Sequence, residues 1–123
     1  MIKNSLKSSL LAVSAGVILG WSGHLLAADN SAAAMNAYMD SMKRMDAGMK
    51  TAMDTMHKDM KASADHHFVT MMISHHAGAV DMAKIELKYG SDPRLRKMAQ
   101  QIVSSQTKEI DDLKKWQKSH AMK

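Results

Sequence analysis

The sequence predicts an all-α fold, an antiparallel helical hairpin or small helix bundle preceded by an N-terminal signal helix. Three observations carry this. The 123 residues include one Pro, six Gly and 4% aromatics, which leaves little material for turns and strands. Apolar residues recur at helical spacing over long stretches. The breaks between those stretches carry helix caps rather than hairpin turns. With about 28 residues assigned to an export signal, roughly 95 remain for one modest helical core.

Residues 1–28 are expected to be the signal. Lys3 and Lys7 precede an apolar run from Leu10 to Trp21, and Leu25-Leu26-Ala27-Ala28 stands before Asp29. Basic end, apolar middle and small residues near a cut are the order of a secretory signal. Cleavage after Ala28 places Leu26 where a small residue is preferred, whereas Ala32 and Ala34 fit a cut after Ala34. The alternative is an uncleaved anchor, because residues 10–26 are near the short limit of a membrane span. Either way the rest of the chain is expected outside the cytoplasm, in the periplasm.

A Met-rich helix is expected within residues 29–62. No Pro interrupts Ser31 to Ala62 and Gly48 is the only Gly, while methionines stand at 35, 39, 42, 45, 49, 53, 56 and 60. At 100° per residue they cover an arc of about 120°, one apolar stripe. Asp40, Lys43, Arg44, Asp46, Lys50, Asp54, Lys58 and Lys61 mix sign on the other faces, as a solvated helix surface does.

Residues 63–123 are expected to form the two-helix, His- and Met-containing part of the bundle. Ser63 or Asp65 caps a helix running to about Tyr89, and Gly90 stops it. Ser91 or Asp92 caps the next, with Pro93 at its first position. Leu95, Ala99, Ile102, Gln106, Glu109, Leu113 and Trp116 then alternate steps of four and three, a seam containing two polar residues. On the middle helix Phe68, Met72, Ala79 and Ala83 mark the expected centre of the buried stripe, flanked by His75 and His76.

Composition points to a chemistry. The chain has fourteen Met, seven His and no Cys, so a soft metal would find thioether and imidazole but no thiolate. Seventeen Lys plus Arg stand against twelve Asp plus Glu, a net charge of +5 that falls to +3 once Lys3 and Lys7 leave with the signal. The basic residues are interleaved with acidic ones, so nucleic acid is not an expected partner.

The chemistry concentrates on the middle helix. His67/Met71, Met72/His75 and Met72/His76 are one turn apart, the closeness that metal ligands need. Thioether suits Cu(I), imidazole suits Cu(I) and Cu(II), and silver can follow the same route. Zinc sites use thiolate, imidazole and carboxylate, and neither a His-Glu-x-x-His nor a Glu-x-x-His motif occurs. Against this, a Met stripe also serves as ordinary core filling or as an adaptable surface for a partner protein. Glu109 and Gln106 are open to two roles, hydrogen-bonded polars closing the bundle or partners that orient the His pair. His57 and His120, near helix ends, are as readily solvated as metal-binding.

From Asp65 to Trp116 the chain resembles the bacterial family catalogued as domain of unknown function 305. The matching residues are Asp65, Phe68, Met72, His75-His76, Ala79, Met82-Ala83, Asp92-Pro93, Leu95, Ala99, Ile102, Gln106, Glu109-Ile110 and Trp116. Ser74 stands where the family often has Pro. The resemblance implies a ferritin-like helical domain, copper binding outside the cytoplasm and a part in copper tolerance.

The resulting expectation is a periplasmic protein, not an enzyme, that sequesters or transfers copper as Cu(I) or Cu(II), with silver as a further cargo. Its core ligand set is Met71, Met72, His75, His76 and Met82. His66, His67, Met49, Met53, Met56 and Met60 extend the set, and Glu109 and Gln106 stand behind it. Expected partners are the metal ions, a copper transporter or copper-handling protein, and a second copy of the chain. The alternative is a structural or adaptor bundle that grips another protein with its Met face.

Overall fold

The computed structural model describes residues 19–121, with side chains from residue 30 onward. The basic end and most of the apolar run of the expected signal therefore lie outside the described residues. Three helices follow one another: α1 (Leu19–Lys58), α2 (Ala64–Tyr89) and α3 (Pro93–Ser119). Among the described residues no strand occurs, and no helix is long and apolar enough to cross a membrane. The middle helix packs against both others, while α1 and α3 are not packed on each other. The fold is thus an all-α, three-helix arrangement with α2 sandwiched in the centre.

Local chemistry sets the boundaries. The first helix ends at Lys58, earlier than the Ala62 expected, because the chain must turn extended to place Ser63 at an N-cap. There the Asp59 amide is shared between the carbonyls of Thr55 and Met56, and the Ala62 amide donates to Asp59. Ser63 Oγ then accepts from the His66 amide at 3.4 Å, so Ser63 rather than Asp65 caps α2. Asp92, not Ser91, caps α3: its Oδ1 accepts from the amides of Arg94 and Leu95 at 2.8 and 3.1 Å, with Pro93 at the first helical position.

The stop at Gly90 is not a left-handed turn, since its φ is −72° and its ψ 148°. Close approach explains the glycine instead, because a Cβ there would stand 2.7 Å from the Glu86 carbonyl oxygen. Arg96 reaches back across the connection and donates to the carbonyls of Leu87 and Gly90 at 2.7 and 2.9 Å. A side chain of α3 thereby satisfies backbone that α2 leaves open at its end.

Packing turns the centre of the methionine stripe of α1 away from α2. Among the described side chains of α1 the buried ones are Ser41 and Ala52, and Gly48 lies on the same line, where its carbonyl accepts from Ser74 Oγ at 3.3 Å. Small residues let α1 approach α2 closely. The centre of the methionine stripe is turned roughly a quarter of the circumference away from that line. Met35, Met39, Met42, Met53 and Met60 are accordingly exposed, Met60 to 81%, and only Met45, Met49 and Met56 are half-buried.

The buried stripe of α2 is also shifted from expectation. Because α2 has a neighbour on each side, it buries two opposite lines. Val69, Met72, His76, Val80 and Ala83 share the line toward α3, and Ser74 and Gly78 lie on the line toward α1. Phe68, His75 and Met82 fall on the strip between the two lines and are exposed. Phe68, expected near the centre of the core, is 58% exposed.

Candidate metal centre

At the α2–α3 interface a cavity of about 530 Å³ is walled by Phe68, Val69, Met72, Leu113 and Trp116 and carries His76, Asp65, Glu109 and Asp112. Sulfur, imidazole and carboxylate thus face one space. His76 is the fixed point. Its side chain is 10% exposed against 56% for Glu109, and Glu109 Oε2 lies 2.7 Å from His76 Nε2. An ionised carboxylate can only accept, so Nε2 carries a proton, and in the neutral ring Nδ1 presents a lone pair. That Nδ1 is buried and has no hydrogen-bond partner.

Such an imidazole is preorganised as a ligand. A carboxylate on one ring nitrogen fixes the tautomer and the ring plane and makes the other nitrogen a better donor. Burial without a partner leaves that donor uncompensated, which costs stability until something electrophilic meets it. Asp112 is less free than its neighbours, because Lys108 and Lys115 both pair with it. The Lys108 hydrogen bond and charge, followed by Lys115, hold its carboxyl below the usual carboxylate range.

The remaining candidates are dispersed. Adjacent residues on a helix point about 100° apart, so His75 leaves the cavity that His76 enters, and their ring centroids are 6.2 Å apart. Met82 lines a different cavity with Leu95, Met98 and Ile102, about 9 Å along the axis from His76. Met71 and Met49 are half-buried and border neither of these two spaces. The five residues of the expected core set therefore do not converge; only Met72 and His76 share the cavity. Gln106 is half-buried with its amide oxygen unpartnered.

Both nitrogens of His66 are already engaged. Nδ1 lies 2.9 Å from Ser63 Oγ and Nε2 lies 2.7 Å from the His120 carbonyl oxygen. The ring also meets Trp116 edge-on at 5.0 Å, and Trp116 stacks on His120 at 4.3 Å. This histidine ties the start of α2 to the end of α3. By contrast, His67 faces the end of α1, where it lines a smaller cavity with Met53, Met56, His57 and Met60. The spacing of His57 from Met53 and Met60 places it beside them on one helix face.

Among the described residues no three His, Asp or Glu side chains are grouped as a metal site. Three helices carrying thioether and imidazole donors at both interfaces of the central one define an all-helical, Met/His-rich domain. The chain matches the sequence model of the domain of unknown function 305 family over residues 13–117 and belongs to that family. No curated protein matches it.

Proposed function

We propose that this chain is an exported, periplasmic copper-binding protein that sequesters the metal or hands it on, with copper held first at the α2–α3 cavity. The observation that carries the reading is the His76 ring, whose buried Nδ1 has no partner while Glu109 holds Nε2. Met72 adds a soft donor in the same space, and thioether with imidazole is a donor pair suited to copper and silver. His76 and Met72 would bind the ion. Glu109 would keep the imidazole in the tautomer that leaves Nδ1 free. The proposed activity is binding rather than catalysis.

A second reading has its own observation. Met35, Met39 and Met42 are exposed on the upstream part of α1, and flexible Met surfaces adapt to partner proteins. The two readings differ in metal dependence. Competition titration of the folded protein with Cu(II) and Cu(I), beside Met72→Leu and His76→Gln, separates them. The copper reading requires His76→Gln to lose the tightest equivalent. Unchanged stoichiometry and affinity in both variants would remove copper from the α2–α3 cavity, and a parent protein that binds no copper would leave only the adaptor.

A further inference from the structure

We propose a second metal site in the α1–α2 hairpin, selective for monovalent soft ions, built from Met53, Met56, His57, Met60 and His67. These five residues, three thioethers and two imidazoles, are the whole lining of a cavity of about 220 Å³. No carboxylate borders it, in contrast to the α2–α3 cavity with its Asp65, Glu109 and Asp112. The inference goes beyond the α2–α3 reading and shares no donor with it.

The placement follows from the chain. Met53, Met56, His57 and Met60 stand at spacings of three and four, so they project from one face over the last turn of α1 and into the turn after it. His67 comes from the first turns of α2, brought opposite by the short connection after Lys58. Met60, in that connection, is the most exposed of the described methionines at 81%, which leaves its sulfur free to swing onto an ion. Met56 and His67 are half-buried and provide the fixed side.

The donor chemistry sets the selectivity. Neutral thioether and imidazole offer polarisable lone pairs and no negative charge, which matches Cu(I) and Ag(I). Hard divalent ions look for carboxylate oxygen, and none is presented. The two cavities thus differ in preference, with the carboxylate-ringed one suited to Cu(II) as well as Cu(I) and the thioether-dominated hairpin favouring the monovalent state. An ion held between α1 and α2 also clasps the turn that joins them, so occupancy raises stability.

Silver(I) nitrate is the probe, used with the full folded chain carrying 13C-methyl methionine and followed by methyl NMR and native mass spectrometry. The expected result is that the Met53, Met56 and Met60 methyl signals shift together and saturate with one equivalent. A Met53→Leu/Met56→Leu/Met60→Leu variant then binds one Ag(I) fewer and loses the share of the silver-induced rise in Tm that this site contributes, while keeping its Cu(II) affinity. Leu nearly conserves volume, and two of the three sites are exposed, so helix content by circular dichroism stays as in the parent. His76→Gln keeps the hairpin equivalent, which separates this site from the α2–α3 one. Methyl signals that stay in place while Ag(I) binds elsewhere, or a triple variant with unchanged silver stoichiometry, would overturn the proposal.

Discussion

Glu109 on α3 meets His76 on α2 at 2.7 Å, and the far nitrogen of that ring is buried with nothing bonded to it. One contact therefore joins the two helices and poises a ligand. Glu109→Gln keeps the size but removes the charge, and its amide can present either oxygen or nitrogen to the ring. Copper affinity at this site is expected to fall about 10- to 100-fold, and folding stability by about 1 kcal/mol. Competition titration and chemical denaturation read the two effects separately. Equal affinity in the variant would remove Glu109 from the site.

Gly78 and Met45 meet closely where α1 packs on α2. A Cβ on Gly78 would stand 2.6 Å from Met45 Sδ and 3.1 Å from Met45 Cβ. Alanine is better than glycine in a helix by about 1 kcal/mol, but overpacking costs about 1–3 kcal/mol. Gly78→Ala is expected to destabilise by about 1 kcal/mol net, because Met45 Sδ and Cγ, at 2.6 and 2.7 Å, must leave their place between the helices. Adding Met45→Ala relieves the clash, so in urea denaturation the double variant recovers more than additivity allows. Additive losses would show that the two residues are independent.

Burial first, and then the neighbouring Glu86 carboxylate, raise the Tyr38 phenol above its ordinary value. A raised folded-state value means that folding favours the protonated phenol. That contribution is complete below the unfolded value of about 10 and is lost as pH climbs through the folded value. Glu86→Gln should bring the Tyr38 ionisation down toward the ordinary range. Absorbance titration near 295 nm, with Tyr38→Phe used to subtract Tyr89, checks it. An unmoved curve would contradict the assignment.

Asp92 carries the start of α3 through two amide hydrogen bonds. Asp92→Ala is expected to cost about 1 kcal/mol, while Asp92→Asn, which keeps an accepting oxygen, costs little. Thermal unfolding of the two variants side by side gives the answer. Equal losses would mean that the negative charge, not the cap, is what matters.

The helices, their order and the α3 seam were legible in the sequence because each rests on local spacing. Facing was less so. The methionines of α1 do form one stripe, but periodicity alone does not say which stripe meets the neighbour. Ser41, Gly48 and Ala52 form the contact line because their small size permits close approach. On α2 a single-stripe reading put Phe68 in the core. With α1 and α3 on opposite sides, the strip holding Phe68, His75 and Met82 is left open. The Glu109 contact to His76 was in reach, because Glu109 lies on the seam of α3. The angle of about 100° between neighbours on a helix sends His75 away from the cavity that His76 enters.

The central claim is that Met72 and His76 bind copper together. Copper K-edge X-ray absorption on the full chain loaded with one equivalent tests it most directly. A mixed shell is predicted, with imidazole nitrogen and one thioether sulfur, the sulfur scattering lost in Met72→Leu and the imidazole pattern weakened in His76→Gln. A shell of nitrogen and oxygen alone, unchanged in both variants, would contradict it.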